Sequence, residues 1–163
     1  MKHLKKYSLA FVLAVFLLSS PASVLAQDAM NLVAGQASLV KAQPWIDFLK
    51  KNEITVEHAV PSELKSVQKK KYITIEGGMN EPGIKEIITE VVGASEASAL
   101  AKPGAKKMFM KENTWVAGQR ILVFAGDTAE SAAAARTESR ETWMKYLKEW
   151  FDLGEGPGGL KAY

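Results

Sequence analysis

The sequence predicts an α/β fold, with a small and mainly parallel four-stranded sheet flanked by helices and a long C-terminal helix. Two stretches carry this prediction, KYITIEGGMNEPGIK at residues 71–85 and RILVFAGDTAESAAAAR at residues 120–136. Each stretch has the pattern of an apolar strand, a glycine turn and the start of a helix. Two such units in one short chain indicate that the two strands lie side by side beneath helices.

Residues 1–26 have the pattern of a signal peptide. Three lysines precede an apolar run at residues 8–18, which is too short to span a bilayer comfortably, and Val24 and Ala26 stand where a signal peptidase reads the chain. We expect cleavage after Ala26 and export to the periplasm or the cell exterior, with no membrane association afterwards. A retained membrane anchor is the alternative.

The charge balance of the mature chain argues against nucleic-acid binding. The leader contains three of the 21 Lys and Arg residues, which leaves 18 basic residues against 18 acidic ones. A nucleic-acid binder needs a basic excess to neutralise phosphates. The chain also has no cysteine, which excludes disulfides, thiol catalysis, iron–sulfur clusters and zinc–thiolate sites.

The remaining chain is expected to form one α/β domain at residues 44–153. Residues 27–43 are weakly patterned and are interpreted as a loose N-terminal segment, after which Pro44 opens a short helix. Strands are predicted near residues 54–60, 72–77, 107–112 and 120–126, with 107–112 antiparallel to 120–126 because the loop between them is short. An amphipathic helix is predicted between Ile84 and Val92, where apolar residues recur at helical spacing. Residues 154–163, rich in Gly and Pro, are interpreted as a flexible tail.

A single helix is predicted from Thr128 to about Asp152, with Asp127 and Glu130 at the spacing of a capping box. Its second half carries a stripe of large aromatic residues, Trp143, Tyr146, Trp150 and Phe151. These aromatics either cover the sheet or, since the helix is longer than a small sheet needs, project as a surface for a protein partner or for self-association.

The candidate ligand site is the glycine-rich rim that follows the two central strands. Ligands of open α/β sheets bind beyond the carboxyl ends of the strands. The rim residues are Glu76, Gly77, Gly78, Asn80, Glu81, Gly126 and Asp127. The glycines are expected to allow unusual φ values in the turn, and Asn80 or Glu81 to cap the following helix. The acidic residues could hold calcium or act as acid and base, but we favour the alternative that they cap helices.

The rim does not match a nucleotide-binding motif. Gly78 and Gly83 have the glycine spacing of a P-loop, but Lys85 stands one place late and no Ser or Thr follows it. Glu76 and Glu81 would also repel a phosphate. We therefore expect no cofactor, no metal and no catalytic residue that the sequence can assign.

Several stretches resemble a Rossmann-like module of surface-layer-type exported proteins from archaea and bacteria. The resemblance covers residues 45–136 and lies in WIDFL at 45–49, PSEL at 61–64, YITIEGG at 72–78, ENTW at 112–115 and GQRILVFAGD at 118–127. It implies a Rossmann-like fold and assigns no catalytic residue. Glu76 departs from it, because an apolar residue is expected there.

These observations favour a non-enzymatic binding or structural module of the periplasm or cell surface. The alternative is a small exported enzyme or ligand carrier that uses the glycine-rich rim.

Overall fold

The computed structural model describes residues 28–154 and has one five-stranded sheet with helices on both faces. The predicted signal peptide and the predicted tail beyond Gly154 lie outside these residues. The strands are β1 (Met30–Ala34), β2 (Val56–Ala59), β3 (Tyr72–Gly78), β4 (Lys106–Glu112) and β5 (Arg120–Gly126). The helices are α1 (Gln36–Lys51), α2 (Leu64–Val67), α3 (Ile84–Val92), α4 (Ala94–Leu100), α5 (Ala129–Glu138) and α6 (Arg140–Trp150), and a 3-10 turn spans Pro61–Glu63.

The sheet has the order β2-β1-β3-β5-β4 and is parallel except for β4. The predicted side-by-side placement of the two glycine-ended strands is confirmed, since β3 and β5 pair in parallel from Tyr72 opposite Arg120 to Gly78 opposite Gly126. The antiparallel pairing of β4 with β5 is also confirmed. The sheet is therefore mainly parallel, as predicted, but it has five strands instead of four.

The fifth strand, β1, arises from the segment that was expected to be loose, and that prediction is wrong. All five residues of β1 are buried, between β2 and β3. A strand covered on both faces shows no alternation, and Asn31 further obscures the pattern. The Asn31 amide is satisfied locally, because Nδ2 donates to the carbonyls of Ala29 and Tyr72 at 3.1 Å each.

Helix α1 begins at Gln36, eight residues before the predicted start at Pro44. Pro44 lies inside the helix instead of at its first position. A proline there withholds the N–H that the carbonyl of Val40 would accept. Val40 is 65% exposed, so water can replace the missing donor.

The predicted long C-terminal helix is interrupted at Ser139, which separates α5 from α6. Two side chains donate to backbone carbonyls at the break. The Ser139 hydroxyl donates to the Ala135 carbonyl at 2.7 Å, and the Trp143 indole donates to the Arg136 carbonyl at 2.7 Å. The Ser139 N–H also donates to the Ala135 carbonyl, at 3.1 Å, so the hydroxyl bond adds to the helical one, and the indole bond holds the buried Trp143 against the break.

The two faces of the sheet are covered by different kinds of core. Helices α1, α5 and α6 pack an aromatic core on one face, in which Trp45 meets Trp143 edge to face with ring centroids 4.5 Å apart. Helices α2, α3 and α4 cover the other face with an aliphatic core that includes Ile73, Ile75, Ile84, Ile88 and Val123. Within residues 28–154, none of the helices combines the length and apolar character that a bilayer crossing requires.

Candidate functional site

The candidate site is a cleft at the carboxyl ends of the parallel strands. After β1 the chain continues to β2, at one edge of the sheet, and after β3 it continues to β4, at the other edge. A crevice therefore opens between the neighbouring strands β1 and β3. The cleft has a volume of about 520 Å³. It is lined by Gly35, Gln36, Ala37, Pro61, Asn80, Glu81, Pro82, Thr128, Ala129 and Glu130. Of the predicted rim residues, only Asn80 and Glu81 line it.

Glu81 fills the position at which a cleft of this kind would bind an anion. Its carboxylate accepts from the backbone N–H of Ser38 at 3.1 Å, from the Ser38 hydroxyl, and from the N–H of Gly78 at 2.8 Å. Ser38 is in the first turn of α1, whose free N–H groups and dipole favour a negative charge. Glu81 therefore caps α1. The prediction that it caps the helix following it in sequence is wrong.

Gly35 makes this arrangement possible. A Cβ atom at Gly35 would lie 2.6 Å from Glu81 Oε1, closer than real contacts allow. Gly35, Ser38 and Lys41 were not among the predicted site residues. Gly35 follows an apolar run, as Gly78 and Gly126 do, and this pattern in the sequence could have identified Gly35 as a site residue.

The predicted rim glycines are required for close packing. A Cβ atom at Gly77 would collide with the Ile84 side chain, one at Gly78 would lie 2.5 Å from the Thr128 carbonyl carbon, and one at Gly126 would lie 2.7 Å from the Ala132 nitrogen. The prediction that Gly77 and Gly78 provide unusual φ values is wrong, because in this turn Gly83 has the positive φ, at 78°. Protein atoms thus occupy the space that these glycines leave.

Glu76 lies near the carboxyl end of β3 and has no exposed surface. Its Oε2 accepts from Arg136 Nε at 2.9 Å, and Arg136 Nη2 donates to the Lys41 carbonyl at 2.8 Å, so the pair joins β3, α5 and α1. Oε1 has no hydrogen-bond partner in the part of the chain that the structure describes. Burial raises the pKa of Glu76 above its usual value, although Arg136 acts in the opposite direction; the nearby Glu81 charge adds to the increase.

Asp127 and Glu130 do not form the predicted capping box, and each contacts a different partner. Asp127 Oδ2 accepts from the N–H of Gly104 at 2.8 Å, and the Ser131 hydroxyl together with this N–H holds the pKa of Asp127 below its usual value. The predicted capping box is wrong, since Thr128 is the N-cap of α5 and its hydroxyl accepts from the Ser131 N–H at 3.2 Å. Glu130 lies 3.1 Å from Lys41 Nζ, which lowers the pKa of Glu130.

The loop with the Asn-x-Trp-x-x-Gly-Gln pattern is held by its own hydrogen bonds. The buried Gln119 donates to the carbonyls of Gln68 and Lys70 at 2.8 and 2.9 Å. The Trp115 indole donates to Glu90 at 2.7 Å, and the Gly118 N–H donates to Asn113 at 2.6 Å. The pattern therefore describes an anchored turn.

The predicted partner surface on the last helix is largely internal. Trp143 and Trp150 are 0% and 6% exposed, and the Tyr72 hydroxyl donates to the Trp150 carbonyl at 2.7 Å. Only Tyr146 and Phe151 are half-buried. The break at Ser139 accounts for the burial of the two tryptophans, because it separates the last helix from α5 and lets it pack on the sheet.

Within the described residues, no three His, Cys, Asp or Glu side chains are grouped so that they could hold a metal ion. Comparisons with protein-family models, with curated proteins and with solved structures find no match for the chain.

Proposed function

We propose that this protein is an exported, non-enzymatic binding or structural module of the periplasm or cell surface, with a Rossmann-like arrangement of the surface-layer type. The observation that carries this proposal is the Glu81 carboxylate at the first turn of α1. In a cleft of this topology that position would hold a phosphate or a similar anion, and here a residue of the chain occupies it.

The electrostatics of the cleft support the exclusion of phosphate ligands. A phosphate at α1 would have to break the bonds of Glu81 to Ser38 and Gly78, each charge-assisted and worth about 1.5–3 kcal/mol. If Glu81 stayed nearby, each pair of unit charges at about 4 Å would add about 4 kcal/mol of repulsion at an effective dielectric constant near 20.

The placement of the carboxylates supports a role without catalysis. Glu76 pairs with Arg136 in the core, Glu81 caps α1, and Asp127 holds the turn at Gly104. A general acid or base must reach its substrate. Each of these three side chains makes a contact that stabilises the fold, and Glu81 alone among them also lines the cleft, with its carboxylate already bonded to α1.

A ligand carrier is the second candidate, and the 520 Å³ volume of the cleft favours it. The exposed residues Gln36 and Asn80 supply polar groups beside the apolar surfaces of Ala37 and Pro82. Such a mixture suits a small neutral ligand with a few hydrogen-bonding groups.

The test is a titration of the protein with inorganic phosphate and with ATP, followed through backbone amide resonances. We expect no shift at Ser38 in the wild-type protein. Glu81→Ala, which vacates the helix terminus, should acquire phosphate binding with a shift at Ser38, whereas Glu81→Gln, which keeps the side chain in place, should bind phosphate more weakly than Glu81→Ala.

Binding of phosphate by the wild-type protein with displacement of Glu81 would contradict the proposal. So would hydrolysis of ester, phosphomonoester or glycoside substrates that is lost in Asp127→Asn or Glu81→Gln. Ligand binding in the cleft without turnover would select the carrier over the structural module.

A further inference from the structure

Strand β4 is an open edge of the sheet. It pairs with β5 alone, and the strand order leaves its other side without a neighbour among the described strands. Its residues are exposed or half-buried, whereas β5 beside it is almost entirely buried. It is seven residues long and contains no proline, whereas β2, the opposite edge, has four residues. Long, regular edges of this kind are templates for pairing with another strand.

The register of the β4–β5 ladder shows which backbone groups face outward. The Asn113 N–H donates to the Gln119 carbonyl at 2.9 Å, and the Asp127 N–H donates to the Ala105 carbonyl at 3.0 Å. Bonded pairs alternate along an antiparallel ladder, so the odd-numbered residues of β4 bond to β5. The N–H and C=O groups of the even-numbered residues, Lys106, Met108, Met110 and Glu112, point away from the sheet.

These four residues are complementary to themselves in antiparallel register. With a two-fold axis at Phe109, Lys106 of one copy lies opposite Glu112 of the other, and Met108 lies opposite Met110. The cross-strand neighbours are thus two opposite-charge pairs flanking two apolar pairs. Lys106 and Glu112 each also pair within their own chain, with Glu138 and Arg120, so the charge pairs add only modestly to the association. This register would form about eight backbone hydrogen bonds between the copies.

The odd-numbered residues of β4, whose side chains lie on the opposite face of the sheet, limit the affinity of the dimer. Phe109 lies on the axis opposite its own copy, at a non-bonded position where side chains approach most closely. Lys107 lies opposite Lys111, which is unfavourable, but Lys107 Nζ is 3.0 Å from both carboxylate oxygens of Glu96 in its own chain. The repulsion is therefore reduced, and a weak, salt-sensitive dimer is expected.

We propose that β4 is a self-association edge, and that a second copy of this chain pairs with it antiparallel about a two-fold axis at Phe109. The pairing continues the five strands of each copy into one sheet. It uses neither the cleft nor the last helix, so it is independent of the proposed function.

The first test separates backbone pairing from side-chain contact. Sedimentation velocity over a concentration series, with protein expressed from the full-length sequence, should show a reversible monomer–dimer equilibrium. Met110→Pro removes an outward N–H and leaves the β5 ladder intact, so it should give a folded monomer. Met110→Ala, the matched control, keeps the N–H and should still dimerise.

The second test uses charge, and it remains informative if Met110→Pro does not fold. Glu112→Lys places lysines opposite each other twice and should weaken the dimer about five- to tenfold. Adding Lys106→Glu to that variant should restore the wild-type affinity. Lys111→Glu, which replaces the repulsive pairs with attractive ones, should tighten the dimer about fivefold.

The proposal is overturned if the wild-type protein remains monomeric at every concentration, or if a dimer persists in folded Met110→Pro. It is also overturned if Glu112→Lys and Lys111→Glu change the affinity in the same direction, since the proposed register requires opposite effects.

Discussion

The buried ion pair of Glu76 and Arg136 joins β3, α5 and α1, so a substitution in the pair tests how these elements pack. Arg136→Met keeps most of the side-chain volume but removes the one group among residues 28–154 that bonds to the Glu76 carboxylate, which has no exposed surface. Removing one partner of a buried ion pair typically costs about 3–5 kcal/mol. Domains of this size have about 5–15 kcal/mol of total stability, so the loss is a large fraction of it.

The pH dependence of this loss has a definite sign. Burial already raises the pKa of Glu76 above the usual 4.5, while Arg136 lowers it; without Arg136 the pKa should rise further. A carboxyl whose pKa is higher in the folded state contributes stability below its unfolded pKa, and that contribution is lost as pH rises through the folded pKa. Arg136→Met should therefore lose less stability at about pH 5 than at about pH 8.

The assay is urea unfolding followed by tryptophan fluorescence at both pH values. Arg120→Met is the control, because Arg120 makes partly exposed ion pairs with Glu112 and Glu149 and its loss should cost only about 1 kcal/mol or less. Combining Arg136→Met with Glu76→Leu should recover most of the stability, since an apolar pair can replace a buried ion pair. A loss below about 1 kcal/mol for Arg136→Met, or a loss that does not change with pH, would refute this reasoning.

Three further outcomes follow from the structure. Gly126→Ala should destabilise the protein by about 1–3 kcal/mol, because the new methyl group meets the first turn of α5. Gly154→Ala, whose new methyl group has no neighbour within 4 Å among the described residues, should be neutral; thermal unfolding of both variants checks this. Trp143→Phe should cost about 1–3 kcal/mol, because it leaves the buried Arg136 carbonyl without the indole donor, and calorimetry that shows no change would argue against a role for that bond in the helix break. If the chain is exported as proposed, the processed protein should begin at Gln27, which intact mass measurement would establish, and retention of residues 1–26 would instead indicate an anchor.

The fold could be predicted where the sequence pattern and the structure depend on the same local cause. The strands at β3 and β5 are apolar runs ended by glycine, and α3 carries an unbroken stripe at helical spacing, so both were recognised. Strand β1 was missed because a central strand has no polar face, and its Asn31 is satisfied by carbonyls that only the folded sheet brings near. The start of α1 was misplaced because Pro44 is read as a first-turn residue.

The sequence predicted where the candidate site lies, but it did not predict which contacts the side chains of the site make. Glu81 and Asn80 do lie at the carboxyl edge of the sheet, as the glycine turn indicates. The helix that Glu81 caps is 43 residues away in sequence, so no local pattern could assign it. Glu76 was expected at the rim, but the alternation of the strand directs it toward Arg136, a residue that no spacing rule connects to it.

The sequence by itself determined the layers of this protein, because hydrophobic periodicity and glycine breaks act within a few residues of one another. It determined as well that residues 27–163 carry equal numbers of basic and acidic side chains and that the sequence has no cysteine. Only the tertiary structure decided which partner each polar side chain takes: Glu81 at α1, Glu76 against Arg136, and Trp143 at the helix break. Those choices depend on which elements pack together, and a buried polar group bonds to whatever donor or acceptor the packing brings within reach.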